Sequence, residues 1–208
     1  MTYSVATRVR AAIRDIPDFP SPGITFKDIT PVLANPSLLS DVLTAMAEPF
    51  VTERISHVVA IESRGFLFGV SVALHLGAAF APARKSGKLP WRTLRETYAL
   101  EYGESVLEMH QDALTDGARV LIVDDVLATG GTASAAARLV QRLGGTVKGL
   151  SVLGELTFLG ARSRANSQFT PSCATDAHET CSTTASFASL AVGSFELARR
   201  VGALPLPS

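Results

Sequence analysis

Cysteine is scarce in this chain: two residues, Cys173 and Cys181, in 208. A pair so late in the sequence is no disulfide framework, so an apolar core must hold the fold. No apolar run is long enough to span a bilayer. Met1 to Arg14 alternates charged and apolar residues where a signal peptide would carry an unbroken apolar stretch. The expectations are a cytoplasmic location and no membrane partner. Net charge is missing too, with 19 Lys and Arg against 19 Asp and Glu. That removes the bulk attraction on which nucleic-acid binding draws, and no nucleic-acid partner is expected. An anionic ligand must instead be met by a local cluster of charge. What the chain does have is apolar surface, 47% of its residues, over a length that suits one domain with a real core.

The apolar pattern predicts alternating helices and strands. Helical spacing covers Ser4 to Arg14 and Leu38 to Val51, the latter with Asn35 and Ser37 as candidate caps. Pro17, Pro20, Pro22 and Gly23 break the chain between them. His57 to Ile61 reads as a buried strand, Gly65 to Gly77 as an apolar helix, and Ala78 to Ala83 as a short strand. Thr97 to Leu100 and Ser105 to Met109 read as a hairpin about Gly103. Arg119 to Val123 is the clearest strand. Thr132 to Leu143 is an Ala-rich helix stopped by Gly144 and Gly145, and Thr146 to Leu153 is a further strand. Strands buried on both faces and alternating with helices imply an α/β fold, an open parallel sheet flanked by helices.

The most informative stretch is Val120-Leu-Ile-Val-Asp124-Asp125-Val-Leu-Ala128-Thr129-Gly130-Gly131-Thr132. A strand ends in two carboxylates, a turn of small and hydroxyl residues follows, and a helix begins at once. Open α/β sheets bind ligands at the carboxyl ends of their strands. A helix N-terminus offers unpaired N–H groups and the positive end of a dipole, which suits phosphate. Gly130 and Gly131 let the backbone approach closely, and Thr129 and Thr132 add hydroxyls. The carboxylates repel phosphate, but they can accept from sugar hydroxyls or hold a hydrated Mg²⁺. Hydroxyls at one end and phosphate at the other describe a ribose 5-phosphate. The plain alternative is a capped helix after a strand with solvated acids. No Gly-Lys-Ser/Thr follows, and the G-x-G-x-x-G spacing is missing, so neither a Walker loop nor a dinucleotide fingerprint applies.

This stretch resembles the motif with which type I phosphoribosyltransferases bind phosphoribosyl pyrophosphate (PRPP), and most closely that of their adenine-specific members. Four more segments are similar to that family in order: Phe19 to Pro31, Glu62 to Gly69, Arg84 to Pro90 and Tyr98 to Gly103. The resemblance implies a five-stranded parallel core, a small N-terminal hood, Mg²⁺ dependence and a homodimer. It implies transfer of phosphoribose from PRPP to adenine, giving AMP and pyrophosphate. Two other readings stand beside it: a PRPP-sensing regulator on the same fold, and a transferase for another base. Against the regulator stand the lid and pyrophosphate segments and the lack of any evident helix-turn-helix. Against another base stands the Phe19 to Pro31 segment.

The resemblance assigns roles residue by residue. Asp124 and Asp125 hold ribose and metal, the metal arriving with PRPP, and Ala128, Thr129, Gly130, Gly131 and Thr132 hold the 5-phosphate. Arg64, Arg84, Lys85 and Lys88 bind pyrophosphate. The chemistry agrees, because five basic residues and no acid lie between Arg84 and Arg95. Positive charge there stabilises a leaving pyrophosphate. Arg92 and Arg95 lie outside the matched motif and read as solvated charges. Main-chain groups near Thr25 and Lys27 read adenine, and Phe26 and Leu156 sandwich its ring. Glu101 and Tyr102 belong to a lid. A carboxylate there can take or orient the proton that purine N9 loses, while closure keeps water from PRPP.

His57 and His75 read as structural, and Cys173, His178 and Cys181 match no common zinc spacing. After Glu155-Leu-Thr-Phe158 and Gly160 to Arg164 the resemblance stops. Residues 1–164 read as the phosphoribosyltransferase domain with its hood, and 165–208 as an atypical, loosely ordered tail. The expected apolar last strand is not visible in Ala165 to Thr184, and Phe187 to Val201 shows weak helical spacing.

Overall fold

The computed structural model describes residues 3–99, 104–156 and 188–195, the last in backbone only. Helix α1 (Val5–Ala12) is capped by Ser4, whose side chain accepts from Thr7 N at 3.2 Å. Two three-residue strands, β1 (Arg14–Ile16) and β2 (Phe26–Asp28), pair antiparallel as a small separate sheet. It stands where the resemblance implies a hood. Helix α2 (Thr30–Leu33) leads into α3 (Pro36–Ala47), where Asn35 is the cap and accepts from Leu38 N at 3.0 Å. The helix predicted through Val51 ends earlier, and Glu48–Glu53 tightens into 3-10 geometry.

The main sheet begins with β3 (His57–Ile61), followed by α4 (Phe66–Leu76) and β4 (Ala79–Lys85). β5 (Thr93–Ala99) and β6 (Glu104–His110) form an antiparallel hairpin, its last described pair being Ala99 and Glu104. Then come β7 (Arg119–Leu127), α5 (Gly131–Arg142), β8 (Thr146–Leu156) and β9 (Ala188–Phe195). The strand order is β5-β6-β4-β3-β7-β8-β9. β4, β3, β7, β8 and β9 run parallel. The open parallel sheet flanked by helices that was expected is found, extended at one edge by the antiparallel hairpin β5-β6.

The weak helical spacing read over Phe187 to Val201 is overturned within Ala188–Phe195, which is extended and pairs parallel with β8 from Gly149 to Leu156. An unpaired strand edge leaves a row of backbone groups to satisfy, and ladder pairing satisfies them whatever the side-chain period. The missing last strand is thus supplied, further along the chain than Ala165 to Thr184. Residues 161–186, read as loosely ordered, lie outside the described residues, as does the boundary at 164.

Strand alternation sorts the core into two layers. Val59, Ile61, Val120, Ile122, Leu150 and Val152 pack with α5 and the hairpin. Val58, Ala60, Leu121, Val123 and Leu153 pack with α1, α3 and α4. β3 is buried along its whole length, as the unbroken apolar run requires for a strand covered on both faces.

Candidate active site

The parallel strands β3, β4 and β7 end side by side, and a cavity of about 370 Å³ opens beyond them. Its wall carries Glu62, Ser63 and Arg64 from the turn after β3, and Lys85 from the end of β4. Tyr98 and Ser105 of the hairpin, Asp124 and Asp125 of β7, and Thr132 of α5 complete it. A smaller recess of about 60 Å³ adjoins through Asp124 and Thr132. Ala128, Thr129 and Gly130 line it. Gly130 holds φ at +84°, a left-handed conformation that glycine adopts without strain, and α5 starts at the next residue. The recess therefore sits at a helix N-terminus, where free N–H groups collect. Gly131 plays a different part: a Cβ there would sit tightly, 3.1 Å from the Ala99 carbonyl. That glycine lets the hairpin close on α5. Glu96 secures the same contact from β5, paired with Arg138 at 2.6 Å and Arg142 at 2.8 Å.

Asp125 is 4% exposed, and Arg64 Nε lies 2.7 Å from its Oδ2. The two are close enough for an ion pair, yet Oδ2 has no aligned hydrogen bond. Asp124 Oδ1 accepts from the Asp125 N–H at 2.9 Å. Burial pushes the Asp124 carboxyl well above the ordinary aspartate range, and the adjacent Asp125 charge adds to the rise. Two crowded carboxylates, one with an unaligned buried oxygen, form a site that favours a cation or hydroxyl donors.

The basic segment is organised by two acids that sequence reasoning left out of the site. Burial alone would raise the Glu62 carboxyl, but the Arg84 guanidinium and the Lys85 N–H outweigh it and hold it below the usual range. Arg84 Nε is 3.1 Å from Glu62 Oε2, and Arg84 Nη1 donates to the Lys88 carbonyl at 2.9 Å. Glu108 of β6 is 1% exposed and accepts from Lys88 N, Leu89 N and Arg95 Nε at 3.1 to 3.3 Å. Arg95, read as a solvated charge, is therefore the partner of a buried acid. Lys85 lines the cavity, Arg84 serves as a brace beside it, and the Lys88 side chain is exposed. Glu62 follows directly on a buried strand, and that position could have flagged it; Asp124 and Asp125, expected at the end of theirs, lie inside β7, which runs on to Leu127. Glu108 carries no local signal, because its partners are 13 to 20 residues away.

Of the base candidates, Phe26 stands next to the cavity and does not line it. Phe19 meets its ring edge-on at 5.3 Å, and the Arg64 guanidinium lies over the ring at 5.1 Å from its centre. Thr25, Lys27 and Leu156 line neither cavity. Lys27 Nζ is 2.6 Å from Asp15 on the facing strand β1, and Leu156 ends β8. Glu101 and Tyr102 lie outside the described residues. His57 is buried, which holds its imidazole below the ordinary histidine range, and Ser56 Oγ sits 2.9 Å from Nδ1, away from the cavity.

Three kinds of similarity converge on this arrangement. Residues 29–173 match the family model of the phosphoribosyl transferase domain. The adenine phosphoribosyltransferase of Thermobifida fusca is 55% identical over 164 residues, which cover 79% of this chain and 93% of that protein. The crystal structure of adenine phosphoribosyltransferase from Rhodothermus marinus superposes with a TM-score of 0.79 at 48% identity. The match covers 92% of this chain and 98% of the other. The Saccharomyces cerevisiae enzyme, solved with adenine and an iminoaltritol bisphosphate, is 41% identical with a TM-score of 0.73. Coverage there is 77% of this chain and 93% of that one.

Proposed function

We infer the chemistry of this cavity from one premise: the chain belongs to the phosphoribosyltransferase family, among its adenine phosphoribosyltransferases. It transfers the 5-phosphoribosyl group from PRPP to adenine, giving AMP and pyrophosphate. The observation that carries this reading is the meeting of Asp124 and Asp125 with a phosphate-sized recess on one side and Arg64 and Lys85 on the other.

The residue roles proposed are those that the family resemblance implies. The 5-phosphate takes the recess, held by the turn Ala128 to Thr132. The ribose hydroxyls donate to Asp124 and Asp125, which fixes the sugar carbon that reacts. Pyrophosphate faces Arg64 and Lys85, whose charge stabilises it as it leaves, while Glu62 and Glu108 hold Arg84 and the loop at Lys88 in place. Asp124 and Asp125 also suit Mg²⁺, with its remaining oxygen ligands drawn from PRPP and water. Bound there, the ion would neutralise part of the pyrophosphate charge. Adenine stacks on Phe26, with Leu156 as the candidate for its other face and main-chain groups near Thr25 and Lys27 reading its edge. Glu101 is the candidate to orient the departing N9 proton, and Tyr102 accompanies it in the lid.

A homodimer is supported by Leu67, Val70 and Leu74, which are exposed along one face of α4 at helical spacing. Among the described residues no helix is long and apolar enough to cross a membrane; a cytoplasmic location fits the scarce cysteines.

The assignment is tested by a panel of bases with PRPP and Mg²⁺, following nucleotide and pyrophosphate release. Adenine should exceed hypoxanthine and guanine in kcat/KM by roughly 10- to 100-fold or more. A 6-oxo group set against a main-chain acceptor leaves a buried mismatch of about 1–3 kcal/mol. Comparable turnover of hypoxanthine would overturn the adenine assignment.

A further inference from the structure

Arg64 stands between two groups that the transfer reaction uses separately. Its Nε pairs with Asp125 Oδ2 at 2.7 Å, and its guanidinium covers the Phe26 ring at 5.1 Å. Arg64 lines the cavity and Phe26 does not, so the ring face it covers is the one turned toward the PRPP site. The backbone beneath is closely packed. A side chain at the next residue, Gly65, would lie 2.6 Å from the Ile61 carbonyl and 2.9 Å from the Val123 carbonyl, so the turn is wedged between β3 and β7. The Arg64 side chain is 38% exposed, however, and its ion pair lacks hydrogen-bond alignment. The turn is therefore tightly packed, while the guanidinium is partly exposed and held by two weak contacts.

Resting on the reading that PRPP occupies this cavity and adenine stacks on Phe26, we infer that Arg64 gates the base site and couples it to the PRPP site. In the free protein one side chain blocks both the stacking face and the sugar-binding carboxylate. The ring offers it a weak quadrupole and Asp125 a single misaligned charge. A pyrophosphate group offers several charged oxygens in the fork geometry that guanidinium prefers. Arrival of PRPP draws Arg64 to the pyrophosphate, and that one movement exposes Phe26 to adenine and releases Asp125 to the ribose. Adenine binding thereby becomes conditional on PRPP, with no movement of the backbone.

The test is calorimetric binding of adenine to the full-length protein, alone and with saturating pyrophosphate plus ribose 5-phosphate, which together fill the PRPP subsites without reacting. In the wild type these ligands should tighten adenine binding. Arg64→Ala should bind adenine roughly three- to tenfold more tightly than wild type when no other ligand is present. Adding pyrophosphate and ribose 5-phosphate should then change its affinity less than about twofold on the same scale. Arg64→Lys keeps the charge without the planar fork and should fall between the two. A thermal melt checks that each variant is folded, and Arg64→Gln serves if Arg64→Ala is not. The inference is overturned if the Ala or Gln variant binds adenine no tighter than wild type, or keeps the wild-type coupling. A separate assay of wild-type AMP formation from adenine and PRPP distinguishes that failure from failure of the functional reading.

Discussion

At the phosphate end of the cavity the candidate contacts come from one short run of chain, Asp124 to Thr132. At the base end, Thr25 to Lys27, Arg64 and Leu156 come from widely separated stretches. The first end is built by backbone: a strand stops, a left-handed glycine turns the chain, and a helix begins. The second draws on separate elements, and among them the half-buried Phe26 meets the Phe19 ring and the Arg64 guanidinium. A site of the first kind is preformed and insensitive to distant changes. One of the second kind depends on which rotamer a neighbour adopts, so selectivity and regulation concentrate there.

Replacing both carboxylates strikes the preformed end and should have the largest effect. Asp124→Asn with Asp125→Asn should lower kcat/KM by roughly 1,000-fold, in line with the loss of fixed polar contacts at a reacting centre. The melting temperature should hold or rise, because the Asp124 charge is penalised by burial and by Asp125. Unfolding of the double variant, or full activity, would show that the pair is not a ligand site.

Phe26→Leu probes the other end and should be milder. Loss of an aromatic face should raise KM for adenine about three- to tenfold, consistent with the 0.5–1.5 kcal/mol that such pairs contribute beyond area. KM for PRPP should stay unchanged. Steady-state kinetics with each substrate varied decide it, and an equal rise in both constants would erase the distinction between the two ends.

The smallest effect is expected from acid. Glu62 is held below its ordinary range by Arg84, so its contribution to stability is complete above the unfolded-state value, about 4.3. It is lost as pH falls through the lower folded-state value. The melting temperatures of wild type and Glu62→Gln should differ near pH 7 and converge as pH falls through the lowered folded-state value. A gap that widens in acid would mean that the brace has been assigned the wrong sign.

The same contrast explains what could be read from the sequence. Asp124 to Thr132 is local, so a strand period, two acids and a glycine turn sufficed to single out the strand-turn-helix that lines the smaller recess. The parallel sheet was likewise legible, because strands buried on both faces show unbroken apolar runs. β1 and β2 were not, being three residues each, partly or fully exposed and flanked by prolines, with no period to detect. Glu108 escaped because its role lies in contacts made across the hairpin and the basic loop. β9 was misread because the apolar spacing over Phe187 to Val201 can be fitted to a helical stripe. What decides the segment is the open edge of β8, which no local pattern records.

The two-layer core carries a genetic consequence. Val120 and Ile122 of β7 belong to one layer, Leu121 and Val123 to the other. Exchanging one aliphatic residue for another within a layer costs little. Deleting a single codon ahead of Asp124 in this strand is another matter: every later residue would face the opposite way, the two acids included. Drift in this gene should therefore be generous with the letters of β7 and intolerant of any change in their number.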